Sequence, residues 1–203
     1  MIDYYCAATS PFAYLGHEEF CRIVRTAGVP VVVKPIDTPK LFSVSGGVPL
    51  KQRAPQRQAY RLAEIARWAE YRGLSVNPEP KHFPVSNDPG NLWLLAATEI
   101  STDDALRLLG AIGRATWVQE RDVSDHDTLC ALAGELGLDV SRLARRAAAP
   151  ETRARYEGLT QEAIDRGVFG VPTYMVDGEM LWGQDRLDFL ERALPKSVDR
   201  NKS

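Results

Sequence analysis

A chain of 203 residues has room for one domain, or for one domain carrying an insertion. Its 44% hydrophobic and 26% charged residues are those of an ordinary globular protein, which excludes disordered and fibrous classes. A net charge of −2 gives no basis for a nucleic-acid partner or an anionic membrane surface, and no apolar run approaches a membrane span.

The N-terminus, Met1-Ile2-Asp3-Tyr4-Tyr5-Cys6, opens directly as a strand, without a basic leader or cleavage site, so the expected localisation is cytoplasmic. Cys6, Cys21 and Cys130 are odd in number, with no C-x-x-C and no metal-ligand spacing. They are expected to be buried thiols, and no metal site is expected. His17, His82 and His126 are scattered and suggest neither a metal site nor a triad.

Ile2 to Ala7 reads as a buried strand, broken by Ala8-Thr9-Ser10-Pro11. A helix follows to about Thr26, with Phe12, Leu15, Phe20, Ile23, Val24 and Ala27 on its apolar face. Ser10 suits its N-cap, Pro11 its first turn and Gly28 its C-terminal cap. Val29 to Ile36 is a second, almost wholly apolar strand, as a sheet interior requires.

From Asp37 the pattern changes. A long irregular segment containing Pro39, Gly46, Gly47, Pro49 and Pro55 leads into a helix over roughly Gln56–Arg72. A proline-rich loop over Asn77–Pro89 precedes helices near Asn91–Ile100, Thr102–Gln119, Asp125–Leu136, Val140–Ala148 and Glu151–Arg166. Ser101 with Asp104, and Ser124 with Asp127, have the spacing of capping boxes with the shorter acid. Gly167 to Pro172 is a glycine-punctuated loop ending in Val171-Pro172, and a strand and a hairpin turn at Asp177-Gly178 follow it. Glu179 to Trp182 returns, and Gly183-Gln184-Asp185 opens a closing helix with Leu187, Leu190 and Leu194 on one face. The tail Val198–Ser203 is polar and expected to fray. This order predicts an α/β thioredoxin-like unit formed by 1–36 and 167–203, its sheet interrupted by an all-helical insertion over 37–166.

Four groups could carry chemistry. Ser10 lies where a thioredoxin-like fold carries its redox cysteines, but Ser10-Pro11-Phe12-Ala13 has no thiol for disulfide exchange. Ser10 is either the helix cap alone, worth about 1 kcal/mol, or also a hydroxyl facing a bound thiolate at a helix N-terminus. Pro172 either marks a strand edge or follows a cis bond that turns the Val171 backbone outward to pair with an extended peptide. Gln184 and Asp185 either cap the closing helix or hold the carboxylate and ammonium of an α-amino acid head. Lys51, Arg53, Arg57 and Arg61 are either a solvated face or a clamp for an acidic substrate.

Together these residues resemble a known family. Ser10-Pro11-Phe12-Ala13-Tyr14-Leu15 is similar to the S-P-[FYW]-x-Y-L opening of 2-hydroxychromene-2-carboxylate isomerases and kappa-class glutathione transferases. Glu64-Ile65-Ala66-Arg67-Trp68-Ala69 resembles their central helix, and Phe83-Pro84 with Asn87 resembles the turn that follows it. Gly167 to Thr173 and Gly183 to Arg186 resemble their most diagnostic stretch.

The resemblance implies a DsbA-type thioredoxin fold, generally dimeric, that binds glutathione. It implies that Ser10 stabilises the glutathione thiolate, that Val171 before a cis Pro172 pairs with the cysteinyl backbone, and that Gln184 and Asp185 hold the γ-glutamyl head. It implies isomerisation of a small aromatic carboxylate by reversible thiolate addition. Arg53 and Phe83 are the expected substrate-binding residues. Two stretches depart from the pattern: Cys6-Ala7-Ala8-Thr9 stands where the isomerases usually read F-D-F before S-P, and the loop from Ser43 to Arg53 lacks their Asn-containing segment. The rival readings are a kappa-like glutathione transferase or peroxidase and a non-catalytic thioredoxin-like binding protein. A DsbA-type oxidoreductase is disfavoured by the missing C-x-x-C.

Overall fold

The computed structural model describes residues 1–195, and the expectation for Val198–Ser203 falls outside them. Four strands, β1 (Ile2–Cys6), β2 (Val31–Pro35), β3 (Thr173–Val176) and β4 (Glu179–Trp182), form one sheet in the order β2-β1-β3-β4. β1 and β2 are parallel and joined by α1 (Pro11–Ala27), as a parallel pair requires a crossover. β3 runs antiparallel to both β1 and β4. The β3–β4 turn is the expected two-residue hairpin, with both Asp177 (φ 48°) and Gly178 (φ 86°) in the left-handed region.

Alternation along β1 sorts the sheet's two faces. Ile2, Tyr4 and Cys6 join Phe20 and Ile23 of α1, Tyr174 and Val176 of β3, and Leu187 and Leu190 of α9 (Leu187–Ala193). The same core continues into α4 (Asp88–Thr98), α5 (Thr102–Trp117), α6 (His126–Glu135) and α7 (Val140–Ala147) through Leu94, Leu108, Leu109, Leu129 and Leu143. Tyr5 points the other way, to Ile36, Leu41, Met175 and Ala163, beneath α2 (Thr38–Ser45) and α8 (Pro150–Asp165). Asp3 and Lys34 share that face and pair with Arg166 and Glu162. Burial alone would raise the Asp3 carboxyl, but Arg166 and Lys34 hold it below its usual value.

Three expectations need correction. The segment after Asp37 is not irregular throughout, because it folds into α2 and a short 3-10 turn at Leu50–Gln52. Asp37 accepts from the Lys40 N–H at 3.0 Å, Pro39 sits in the first turn where no amide is needed, and Gly46 closes α2 at φ 75°. Pro39 and Gly46 thus mark the first turn and the C-terminal cap of a helix. At α6 the cap is Asp125, which accepts from the Thr128 N–H at 2.8 Å, while the Ser124 hydroxyl turns back to Asp122 at 2.6 Å. At Ser101 only half of the box forms: the Asp104 N–H donates to Ser101 Oγ at 3.0 Å, but the Asp104 carboxylate takes the Ser101 hydroxyl at 2.9 Å, and the Ser101 N–H goes to Ala97 O. Of the thiols, Cys6 is buried, whereas Cys21 and Cys130 are half-buried, each one helical turn from a histidine. Among the described residues no helix is long and apolar enough to cross a membrane.

Candidate active site

Ser10 begins α1 in extended conformation (φ −69°, ψ 123°), and its Oγ accepts from the Ala13 N–H at 3.2 Å. A hydroxyl that accepts still has its proton to donate, so capping leaves Ser10 a donor at the mouth of the helix. The other first-turn amides can be accounted for. Ser10 N–H goes to Ala7 O (3.0 Å), Tyr14 N–H to Ser10 O (3.0 Å), and Pro11 has none. The Phe12 N–H has no acceptor among the described residues. Helix α1 also carries no acidic residue in its first turn, so the positive end of its dipole is uncompensated. Two donors and a bare helix N-terminus favour an anion.

The loop before Ser10 is held from α4. The Asn91 carbonyl Oδ1 accepts from the Ala8 N–H at 2.8 Å, and Asn87 Oδ1 accepts from the Thr9 N–H at 3.1 Å and the Thr9 hydroxyl at 2.5 Å. Asn91 is wholly buried and satisfies its amide by donating to Ile36 O and Tyr156 Oη. A buried amide this fully bonded fixes position at small net energetic cost.

The Val171–Pro172 peptide is cis. Because Tyr5 pairs with Thr173, the next residues, Cys6-Ala7 on one strand and Pro172-Val171 on the other, run into the same end of the sheet as Ser10. Gly183 joins them through its N–H to Pro172 O at 2.9 Å. The Val171 N–H and C=O have no partner among the described residues.

Gln184 and Asp185 open a 3-10 turn, Gln184–Arg186, ahead of α9. Gln184 is buried, and its Oε1 and backbone O accept from Arg72 of α3 (Pro55–Arg72) at 2.9 and 3.1 Å. Its Oε1 thus ties α3 to the closing turn, while its Nε2 makes no hydrogen bond among the described residues. The turn packs so closely on α1 that a Cβ on Gly16 would lie 2.7 Å from Gln184 Cβ. Asp185 is exposed, with its carboxylate 2.7 Å from Arg186.

Of the basic group, Lys51 and Arg57 are exposed, and Arg53 and Arg61 are half-buried. Arg53 Nε donates to Val48 O at 2.7 Å, which pins that side chain to its own loop. Phe83 precedes a second cis proline, Pro84, and lies 4.6 Å from the Trp117 ring. The Arg61 guanidinium sits 5.3 Å from the Phe83 ring and 5.8 Å from that of Trp117.

Three residues that build this region carry no functional signal in the sequence: Asn91, Arg72 and Trp117. In sequence Asn91 is simply the start of a helix, Arg72 the end of one and Trp117 an interior residue of a third, whereas the free amides at the head of α1 follow from any helix start. Asn87 was marked by its place after Phe83-Pro84.

The DSBA-like thioredoxin domain family matches residues 1–195. The chain belongs to the DsbA-like thioredoxin family. Within that family it is 30% identical over 194 residues to a 2-hydroxychromene-2-carboxylate isomerase of Sphingobium xenophagum, covering 95% of this chain and 97% of the relative. It is 21% identical over 204 residues to human Glutathione S-transferase kappa 1, covering 95% and 90%. A solved 2-hydroxychromene-2-carboxylate isomerase superposes with a TM-score of 0.80 at 26% identity, over 95% of this chain and 93% of the other. This DsbA-like protein therefore shares its fold with a solved isomerase, matches the isomerase and transferase relatives over most of their length, and carries serine, not cysteine, at the head of α1.

Proposed function

We propose that this protein is a glutathione-dependent cis–trans isomerase of the 2-hydroxychromene-2-carboxylate type, acting on a small aromatic carboxylate in aromatic-compound degradation. The observation that carries the reading is Ser10: its Oγ caps the helix through Ala13, so its proton is free beside the unpartnered Phe12 N–H. Those two donors, on an uncompensated helix dipole, suit a thiolate sulfur. The unpaired backbone groups of Val171 suit the cysteinyl backbone of glutathione, and Asp185 suits its ammonium group. With its side chain held by Arg72, Gln184 offers the γ-glutamyl head a rigid turn.

When bound, glutathione supplies a thiolate that adds reversibly to a carbon–carbon double bond, so that rotation and elimination yield the trans product. The chain's own part is to hold that sulfur deprotonated at Ser10 and to orient the substrate with Arg53 and Phe83. The alternative is a kappa-like transferase on the same site, since an electrophile with a leaving group would retain the sulfur. The protein is further proposed to be a cytoplasmic homodimer, for which sedimentation at micromolar concentration is the check.

The test is the ultraviolet difference spectrum of glutathione near the thiolate band, across pH, with wild type and Ser10→Ala. A thiolate signal near neutral pH that disappears in the variant is expected. No signal from the wild type, together with no binding by calorimetry, would leave Ser10 a helix cap.

A further inference from the structure

Arg61 is a cation without an anion. It has no ion pair or hydrogen bond among the described residues, although it is half-buried against two aromatic rings. Of the acids on neighbouring segments, Glu64 is engaged with Arg67 and Trp68, Glu120 with Asn77 and Asp122 with Ser124, and the exposed Glu79 makes no ion pair with Arg61. The charge that does face Arg61 is Arg53, of its own sign, and burial followed by that repulsion lowers the guanidinium to about 10. It stays ionised at neutral pH while lacking the partner that a partly buried cation normally has. In the same wall the Trp117 indole N–H, fully buried, has no acceptor.

The position of this cluster follows from two helix packings. On α5, Gly110 lies against His17 and Gly113 against Tyr14, so the helices run antiparallel and the next turn brings Trp117 to the level of Ser10. On α3, Arg72 meets Gln184, which abuts Gly16, and Ile65 packs with Leu15 and Phe12. Arg61, one turn before Ile65, therefore lies toward the N-terminal end of α1. Both helices deliver their part of the cluster to the end of α1 that carries the Phe12 amide and Ser10.

We infer that Arg61, backed by Phe83 and Trp117, is the receptor for the substrate's carboxylate and sets the preference for a planar aromatic acid. The planar guanidinium fork matches a carboxylate with two parallel N–H donors, and the two rings fix its plane by cation–π contact. Arg53 lends charge to the site, but its Nε is already committed to Val48 O. It is the weaker of the two contacts. This inference rests on the isomerase reading for the substrate and not for the receptor itself.

The experiment is calorimetric binding of cinnamate and of its neutral isostere cinnamamide, with saturating glutathione, to wild type, Arg61→Met, Arg61→Lys and Arg53→Met. The wild type should bind cinnamate more tightly than cinnamamide. Arg61→Met should lose tenfold or more for cinnamate with cinnamamide changed by less than twofold, Arg61→Lys should lose part of that, and Arg53→Met should lose less than Arg61→Met. Unchanged cinnamate binding in Arg61→Met, equal losses for acid and amide, a larger loss in Arg53→Met, or no wild-type binding of cinnamate would each overturn the inference. Far-ultraviolet circular dichroism checks folding, and if Arg61→Met unfolds, Arg61→Lys decides by the same acid-to-amide ratio. The thiolate spectrum separates the two claims: its absence in wild type with an intact acid-to-amide effect sinks the isomerase reading alone, and its presence with no such effect sinks the receptor alone.

Discussion

Asn91 Oδ1 receives the Ala8 N–H at 2.8 Å, so a residue in the middle of the helical segment sets the loop that ends at Ser10. The same side chain donates to Ile36 O, at the end of the other parallel strand. One amide thereby fixes the C-terminal ends of β1 and β2 relative to each other. Asn91→Leu would strand the Ala8 N–H and Ile36 O without partners in a dry site. The expected cost is about 2–4 kcal/mol of unfolding free energy, measured by urea denaturation. Glutathione affinity should fall with it, because the position of Ser10 depends on this loop.

Capping and activation at Ser10 can be pulled apart by Ser10→Asp. Aspartate is as good an N-cap as serine, so stability should stay within about 0.5 kcal/mol of wild type, whereas Ser10→Ala should lose about 1 kcal/mol. A carboxylate at the mouth of α1 repels a thiolate, so both variants should lack the thiolate band. A band retained in Ser10→Asp would mean that the sulfur sits elsewhere.

Gly16 is a packing glycine within a helix. Replacing an interior helical glycine by alanine normally gains about 1 kcal/mol, yet here the new Cβ would lie 2.7 Å from Gln184 Cβ. Overpacking of that kind costs about 1–3 kcal/mol. Gly16→Ala should therefore lower the melting temperature, and by displacing the 3-10 turn that carries Asp185 it should also weaken glutathione binding. A rise in melting temperature would show that the turn yields freely.

Acid should destabilise the protein early. Burial, and then the Arg25 charge, lower His17 to about 4, well under its ordinary value, and its Nδ1 is sealed without a partner. Below pH about 6.5 the unfolded chain takes up a proton that the folded chain refuses. The favourable contribution of a neutral His17 is thus complete above that value and shrinks steadily toward pH 4. At about 1.4 kcal/mol per pKa unit, and with allowance for the part of the ring that reaches solvent, the loss is about 2 kcal/mol. His17→Asn should flatten the stability profile between pH 6.5 and 4 while leaving a steeper fall below it. That lower fall belongs to Asp3 and Glu162, which burial would raise but Lys34 and Arg166 hold below their usual values.

The strands were legible because the signals were local: an apolar, β-prone run over Ile2–Ala7, an Asp-Gly turn between β3 and β4, and Ser-Pro and Gly at the two ends of α1, whereas the order β2-β1-β3-β4 comes from pairing between distant segments. Ser10 was legible as a cap for the same reason. The helix α2 was not, since Pro39 and Gly46 carry opposite meanings inside a helix and at its ends. The engagement of Gln184 by Arg72 was not legible either, because it joins positions 112 residues apart and no periodicity links them. Arg61 reads in sequence as one of several basic residues on a helix. Its distinction comes from the Phe83 and Trp117 rings that other segments bring to it.

Strand β1 lies inside the sheet, yet its two neighbours are made at very different times. β2 follows within the first 35 residues, whereas β3 begins at Thr173. At ribosomal rates of about 5–20 residues per second, one edge of β1 waits on the order of ten to thirty seconds for its antiparallel partner. During that interval Ile2–Cys6 presents open backbone groups and tyrosine side chains that the finished molecule buries completely. The helices made in between can shelter this strand's faces but cannot pair its edge. The nascent chain is thus open to wrong strand pairing until Thr173–Val176 emerges.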